Sequence, residues 1–294
     1  MKNPGDKIKR VGLIGHSDKI ACSNVVANAA RLIRASGRAV SADVVTAQAA
    51  RLKADTVADA ASLAAQVDLL LVFGGDGTFL RVARGIAGSP TPMLGINIGG
   101  LGFLTAVSSD ALAHALKEVW TGKFRFEQRA LIEASTRCDG RLIRQTALND
   151  IVISRGVVPR LIQLDVDVNG ELLTRYRCDG LIVSSPTGST AYSLASGGAL
   201  VCPTADVFAL TPICPHTLSN RPLILPLAST IRIRAVSPKP ATILSTDGEV
   251  IAELSSDDVV MIRRSKHSVR LMQLADSSFF ASLRQKLGWR GQNG

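Results

Sequence analysis

At 294 residues the chain is long enough for one large domain or two ordinary ones, each burying its own core, and two are expected. Hydrophobic residues make up 46% and aromatics only 4%, so the core must be Ala, Val, Leu and Ile, and the aromatic platforms on which single-stranded nucleic acids stack are missing. A formal charge of +10 favours anionic ligands, whether nucleic acid, membrane headgroups or polyphosphate metabolites, but Arg31, Arg34, Arg81, Arg84, Arg141, Arg144, Arg175, Arg177, Arg232 and Arg234 are scattered without a polybasic tail, so most of this charge reads as a solvated basic surface and sequence-specific nucleic-acid binding is not expected.

Residues 11–15 read as a buried strand, residues 22–35 carry apolar side chains at helical spacing until Gly37, and residues 39–45 return to a strand. An Ala-rich helical stretch runs through Gln66, followed by the continuous apolar strand 67–73. This alternation predicts a parallel sheet with helices on its faces, and it places Gly74-Gly75-Asp76-Gly77-Thr78 just past a strand's carboxyl end, where open α/β sheets bind ligands. Residues 78–86 read as a helix with Arg81 one turn in, 92–96 as a short strand leading into Gly99-Gly100-Leu101-Gly102, and 110–120 as a helix. From about Phe124 the pattern changes to short β-branched or alternating runs, at 131–136, 151–154, 161–168, 181–184, 231–236 and 259–263. Turn signals separate them at Asp139-Gly140, Asn169-Gly170 and Asp247-Gly248. Residues 277–287 regain helical spacing, with Phe279, Phe280, Leu283 and Leu287 on one side and Gly288 as the stop. The expected architecture is an α/β amino-terminal domain over 1–122, a predominantly β, sandwich-like domain over 123–270, and a segment 271–294 whose helix packs back on the first domain.

Cys22, Cys138, Cys178, Cys202 and Cys214 are odd in number and form no CxxC pair, which reads as reduced thiols of a cytoplasmic protein. His16, His114, His216 and His267 are equally dispersed, so no protein-built transition-metal site is expected. Neither a signal-peptide core nor an uncharged run of membrane-spanning length is visible, so no membrane partner is expected.

Glycine clusters let backbone amides approach phosphate oxygens, because no Cβ blocks the approach. Gly74, Gly75, Gly77 and Thr78 could form such a phosphate loop, and Asp76 held among them could take a proton from an attacking hydroxyl. Gly74-Gly75-Asp76-Gly77 could also form an ordinary tight turn. The loop lacks the Gly-Lys-Ser/Thr of a Walker A site, and Gly12-Leu13-Ile14-Gly15 lacks dinucleotide-fingerprint spacing. The second small-residue stretch, 179–192, reads either as strand, turn and capped helix start or as a hydroxyl-rich nucleoside pocket beside Tyr192. Asn149-Asp150 reads as a turn or strand end, although an amide and a carboxylate are also what ribose hydroxyls require.

Taken together, the stretches 74–78, 94–105, 147–153, 179–198, 212–222, 247–249 and 283–289 resemble the NAD kinase family, and most closely its bacterial members. The resemblance spans nearly the whole chain in family order, whereas Gly-Gly-Asp-Gly alone also occurs in lipid kinases and phosphofructokinases. It implies NAD bound in a cleft between the two domains, with Asp76 the base for the adenosine-ribose 2′-hydroxyl. It further implies phosphates near Gly74, Gly75 and Gly77, and NAD contacts from Gly77, Arg81, Asn149, Asp150, Arg160, Arg177, Asp179, Thr190, Ala191, Tyr192, Ser193, Leu194, Ala195 and Glu249. ATP, or in some members inorganic polyphosphate, would be the donor, with a divalent ion such as Mg²⁺ held largely by donor phosphates and water, in a homo-oligomer (dimer or tetramer). Three departures stand out: Ala195-Ser196 where a Ser-Ala order is usual, Ile98 and Gly100 in a segment that often carries arginine, and Glu249 in place of glutamine. Two rival functions share the loop, a lipid kinase and a non-catalytic NADP-binding sensor.

Overall fold

The computed structural model describes residues 3–16, 20–100, 102–105, 107–138, 140–158, 160–217, 221–236 and 242–289. Leu101, Asp139 and Leu218-Ser219-Asn220, all part of the stretches read above, lie outside them. In chain order the elements begin β1 (Arg10–Gly15), α1 (Ile20–Ala35), β2 (Ala39–Asp43), α2 (Val44–Ala49), β3 (Asp55–Val57), α3 (Ala60–Ala64), β4 (Leu69–Gly74), α4 (Asp76–Gly85), β5 (Met93–Asn97), β6 (Val107–Ser108) and α5 (Leu112–Trp120). The β-rich part follows with β7 (Phe124–Cys138), β8 (Arg141–Ala147), β9 (Asp150–Arg155), β10 (Ile162–Val168), β11 (Glu171–Cys178), β12 (Gly180–Ser184) and α6 (Tyr192–Ala195). It continues with β13 (Val207–Ile213), β14 (Leu223–Pro226), β15 (Ile231–Ala235), β16 (Thr242–Thr246), β17 (Glu249–Leu254) and β18 (Val259–Leu274), and α7 (Phe279–Leu287) closes the chain. The chain divides into two compact units, residues 1–128 with 269–294, and residues 129–268.

The first unit is a parallel sheet in the order β3-β2-β1-β4-β5, with β6 beside β5 and the end of β18 joined to β5 at Leu271↔Met93. Every residue of β4 is buried, as expected of a central strand covered on both faces. Leu69, Leu71 and Phe73 of β4 share one core cluster with Val26, Ala29 and Ile33 of α1 and Ala115 and Val119 of α5. No helix among the described residues is long and apolar enough to cross a membrane.

The second unit pairs a six-stranded antiparallel sheet, β14-β13-β12-β9-β16-β17, with strands β11, β10, β15, the start of β18, β7 and β8. Alternation places Ile231 and Ile233 of β15 in the core with Leu164, Val166, Ile153, Leu181 and Val183, so both sheets contribute to one sandwich interior. Arg232 and Arg234 point the other way and pair with Asp167 at 2.7 Å and Asp165 at 2.5 Å. The hairpin turns at Asn169-Gly170 and Asp247-Gly248 form as read, both residues of each pair having positive φ. The α/β first part and the β-rich remainder with its terminal helix therefore match the fold read from the sequence.

Local readings needed correction in four places. Residues 44–45 are helical and not strand, because the Asp43 carboxylate accepts from the Thr46 N–H at 2.6 Å and ends β2 with a helix cap. The Ala-rich stretch is not one helix: residues 55–57 pair with β2 as an edge strand, and α3 starts only after the Asp59 cap. Phe280 of α7 is exposed while Leu283 is buried, so the apolar side of that helix is narrower than its spacing implied. Strands β8, β11, β13, β14, β16 and β17 carry no clear sequence signal, and Pro212 and Pro226 within β13 and β14 weaken what periodicity there is.

The centre of the first unit yields one stability expectation. Leu71 is fully buried in β4, so Leu71→Ala should cost about 2–5 kcal/mol through lost burial and the cavity left behind, read as a lower urea midpoint of unfolding.

Candidate active site

The loop after β4 is shaped by three glycine environments. Gly74 has φ +156°, and a Cβ there would lie 2.5 Å from Thr78 Oγ1, so the protein itself requires glycine. Gly75 and Gly77 have nothing within 4 Å of a Cβ position and are exposed; no neighbour within the chain demands glycine there. Gly75 caps α4 without any side-chain bond, and Asp76 is the first helical residue, so the amides of the first turn face outward at a helix start of the kind that attracts anions. Arg81, one turn later, is exposed and makes no ion pair among the described residues.

The half-buried Asp76 side chain is fixed by the segment after β5. Its Oδ2 accepts from Phe103 N at 2.9 Å, while Oδ1 accepts from Leu104 N at 3.1 Å, Thr105 N at 3.2 Å and Thr105 Oγ1 at 3.1 Å. Buried Asn97 holds the same segment, donating to Thr105 Oγ1 at 2.8 Å and Gly100 O at 2.9 Å and accepting from Gly99 N at 2.6 Å. A Cβ on Gly102 would sit 2.0 Å from Asp76 Oδ1, so only glycine lets the segment lie against the carboxylate. Asn97, Gly102 and Thr105 were not singled out from sequence. The glycines of the 99–102 run were their only local trace, because the bonds from 103–105 to Asp76 join residues more than twenty positions apart.

In the second unit Asn149 and Asp150 sit on a cradle built by Asp247. The Asp247 carboxylate accepts from Leu148 N at 2.9 Å, Asn149 N at 2.8 Å and Asp150 N at 3.2 Å, and Asp247 N returns a bond to Asp150 O at 2.9 Å. Asn149 O accepts from Ser185 N at 2.8 Å, and a Cβ on Gly188 would lie 2.1 Å from it, so the two segments lie in close contact. The Asn149 side-chain oxygen is buried without a hydrogen-bond partner, a cost that proteins rarely leave uncompensated. Asp150 is 5% exposed; burial, with the nearby Asp247 carboxylate as the second cause, pushes its carboxyl up to about 7.

The 185–195 stretch forms a 3-10 turn at Thr187–Thr190 followed by α6. Ser193 is fully buried and shares a hydrogen bond of 2.9 Å with Thr211, so it is structural on its protein side. Thr190 returns its hydroxyl to Thr187 O at 3.2 Å. Tyr192 and Ala195 are exposed, and Ala191 and Leu194 are half-buried. Asp179 is paired with Arg155 at 2.9 Å, a partner that sequence reasoning missed, while Arg160 and Arg177 are exposed and Arg177 O accepts from His216 N at 2.8 Å. Glu249 is exposed at the start of β17, opposite Thr246.

A fully buried strand that runs into a glycine-flanked carboxylate and an open helix start is an arrangement suited to phosphoryl transfer. The sequence matches the ATP-NAD kinase N-terminal domain over residues 11–124 and the ATP-NAD kinase C-terminal domain over residues 148–274. It is 44% identical over 218 residues to an NAD kinase of Moorella thermoacetica, covering 74% of this chain and 70% of that one. A Polaromonas sp. NAD kinase is 37% identical over 284 residues, covering 96% of this chain and 97% of the other. Among solved structures, yeast NADH kinase complexed with NADH superimposes with a TM-score of 0.89 at 27% identity, covering 100% of this chain and 90% of that one. An Archaeoglobus fulgidus NAD kinase in complex with ATP shares the fold with a TM-score of 0.76 at 23% identity, over 96% of this chain and 100% of that one. The chain belongs to the NAD kinase family.

Asp150 makes the cradle sensitive to pH. Its carboxyl ionises near 3.8 when the chain is unfolded and at about 7 when folded, so its contribution to stability is complete below the lower value and lost as pH rises through the upper one. Asp150→Asn should therefore gain about 1 kcal/mol or more relative to the native chain between pH 5 and pH 8, measured by chemical denaturation at both values. Parallel pH profiles for the two proteins would contradict this.

Proposed function

We propose that this NAD kinase transfers the terminal phosphoryl group of ATP to the adenosine-ribose 2′-hydroxyl of NAD, giving NADP, with Asp76 as the general base. The family's ATP-NAD kinase designation supports the donor and acceptor classes, and the observation that carries the role of Asp76 is the division of labour between its oxygens. Oδ1 accepts three hydrogen bonds and Oδ2 only one, and a carboxylate oxygen offers about two lone-pair sites. Oδ2 therefore keeps the capacity to accept the hydroxyl proton, while Oδ1 and the backbone of 103–105 hold the group in place.

The chemistry then follows in order. As the ribose oxygen attacks the γ-phosphorus, the bond from that phosphorus to the bridging oxygen breaks, the hydroxyl proton passes to Asp76 Oδ2, and ADP leaves with the electron pair. The outward amides at Gly75 and Gly77 and the Arg81 guanidinium answer the negative charge of the phosphates. We assign Asn149, Asp150, Arg160, Arg177, Asp179, the 190–195 stretch and Glu249 to NAD. The unpartnered oxygen of Asn149 supports this, since a hydroxyl or amino group of the ligand would satisfy it.

The divalent ion enters with the nucleotide. An ion such as Mg²⁺ would be carried largely by the donor's phosphates and water, since it gives up its hydration shell reluctantly. It would supply charge neutralisation along the triphosphate. Use of polyphosphate, a cytoplasmic location and a homo-oligomeric state remain part of the proposal on family kinship alone.

Asp76→Asn preserves shape but cannot take the proton, so kcat in a coupled NADP assay should fall by roughly 100-fold or more with NAD binding much less affected. Near-normal turnover would remove Asp76 from the mechanism. Glu249→Gln removes a negative charge from a residue assigned to a ligand bearing a pyrophosphate, so NAD affinity by calorimetry should be equal or better. A clear loss of affinity in the folded variant would show that the carboxylate itself is used.

A further inference from the structure

A cavity of about 350 Å³ lies within the first unit, behind the segment that holds Asp76. Its floor is apolar and buried, made by Met93 of β5 and by Leu271 and Met272 of β18. Its rim is polar: His114 of α5, Gln285 of α7 and Asp276 between β18 and α7, all exposed. Asp276 makes no ion pair among the described residues. The size falls at the lower end of small-molecule sites, about 300–1,000 Å³, and an apolar body with a few convergent polar groups is the usual make-up of such a site.

The cavity is mechanically joined to the candidate base. Leu104 lines it, and the same residue's N–H donates to Asp76 Oδ1 at 3.1 Å. Gly95, also in the lining, keeps the segment seated: a Cβ there would lie 2.7 Å from Leu104 O and 2.9 Å from Thr105 Cα. A ligand that presses on Leu104 acts on the residue whose N–H bonds Asp76 and whose carbonyl is packed against Gly95, so any backbone shift there is felt at the Asp76 bond.

We propose that this cavity is a second binding site, for a small amine or amidine with a single-ring apolar body, whose cationic head pairs with Asp276 and whose occupancy reaches Asp76 through Leu104. The last clause rests on Asp76 being the base; the binding site does not. Volume selects the body and the carboxylate at the rim selects the charge, since an apolar floor gives no reason to prefer an anion.

Two of the chain's four methionines lie in the floor, and Met261 belongs to the other unit, so methyl-labelled methionine provides a reporter with an internal control. Benzylamine added to the full-length protein should shift the Met93 and Met272 methyl signals saturably and leave Met261 unchanged. Benzoate should not. Asp276→Lys should weaken benzylamine by about ten-fold or more, and Gln285→Trp, a change at the exposed rim that does not touch the core, should block it. Absence of a saturable shift, an equal response to benzoate, or an undiminished response in both variants would overturn the site. Turnover of NAD and ATP should fall in step with occupancy in the native protein and not in Gln285→Trp. Saturation with unchanged turnover would overturn the coupling alone, and a protein that binds benzylamine but never forms NADP would count against the proposed function and not against the cavity.

Discussion

The structure of both candidate regions depends on one device, an aspartate that gathers consecutive backbone N–H groups. Asp76 collects the amides of Phe103, Leu104 and Thr105, and Asp247 collects those of Leu148, Asn149 and Asp150. Three adjacent amides pointing the same way would otherwise need water or a ligand. An ionised side chain satisfies them with charge-assisted bonds and so fixes an irregular segment that neither helix nor sheet could hold. At Asp76 a glycine makes the approach possible, Gly102 against the carboxylate, and beside the Asp247 cradle Gly188 lets the 185–190 segment lie against the Asn149 carbonyl.

The two aspartates differ in what remains available. Asp76 is half-buried at a helix start and keeps one lightly used oxygen, which is what a proton acceptor needs. Asp247 spends its carboxylate on a turn whose backbone adopts positive φ at Asp247 and Gly248. Its charge then falls on Asp150, already deprived of water by burial, and favours the neutral acid. One carboxylate keeps an oxygen with a single bond and the other serves a turn, although both use the same hydrogen-bond pattern.

The legibility of the site followed the range of its interactions. Gly74 to Thr78 could be found because a buried apolar strand running into glycines is a local pattern, and its position beyond a strand end follows from the parallel sheet. Asn149 and Asp150 drew notice only as a polar pair. Their support comes from Asp247, nearly a hundred residues away, which in isolation is a turn signal. Arg155 was overlooked as the partner of Asp179 because an ion pair across strands leaves no spacing rule. The strands that went unread in the sandwich are those interrupted by proline or short of alternation, where tertiary pairing overrides weak local preference.

By itself, the amino-acid sequence determined the change from α/β alternation to β runs, the parallel sheet of the first unit, the turns at Asn169-Gly170 and Asp247-Gly248, and the family. These rest on periodicity, turn chemistry and ordered motifs, all written along the chain. Only the tertiary structure decided that Asp76 faces four donors, that Asn149 keeps an unpartnered oxygen, that Asp150 is driven toward neutrality, and that Leu104 stands between a cavity and a carboxylate. Each of those facts depends on distance and burial between residues far apart in sequence, and the free energy of a hydrogen bond or a buried charge is set by those quantities and not by order along the chain.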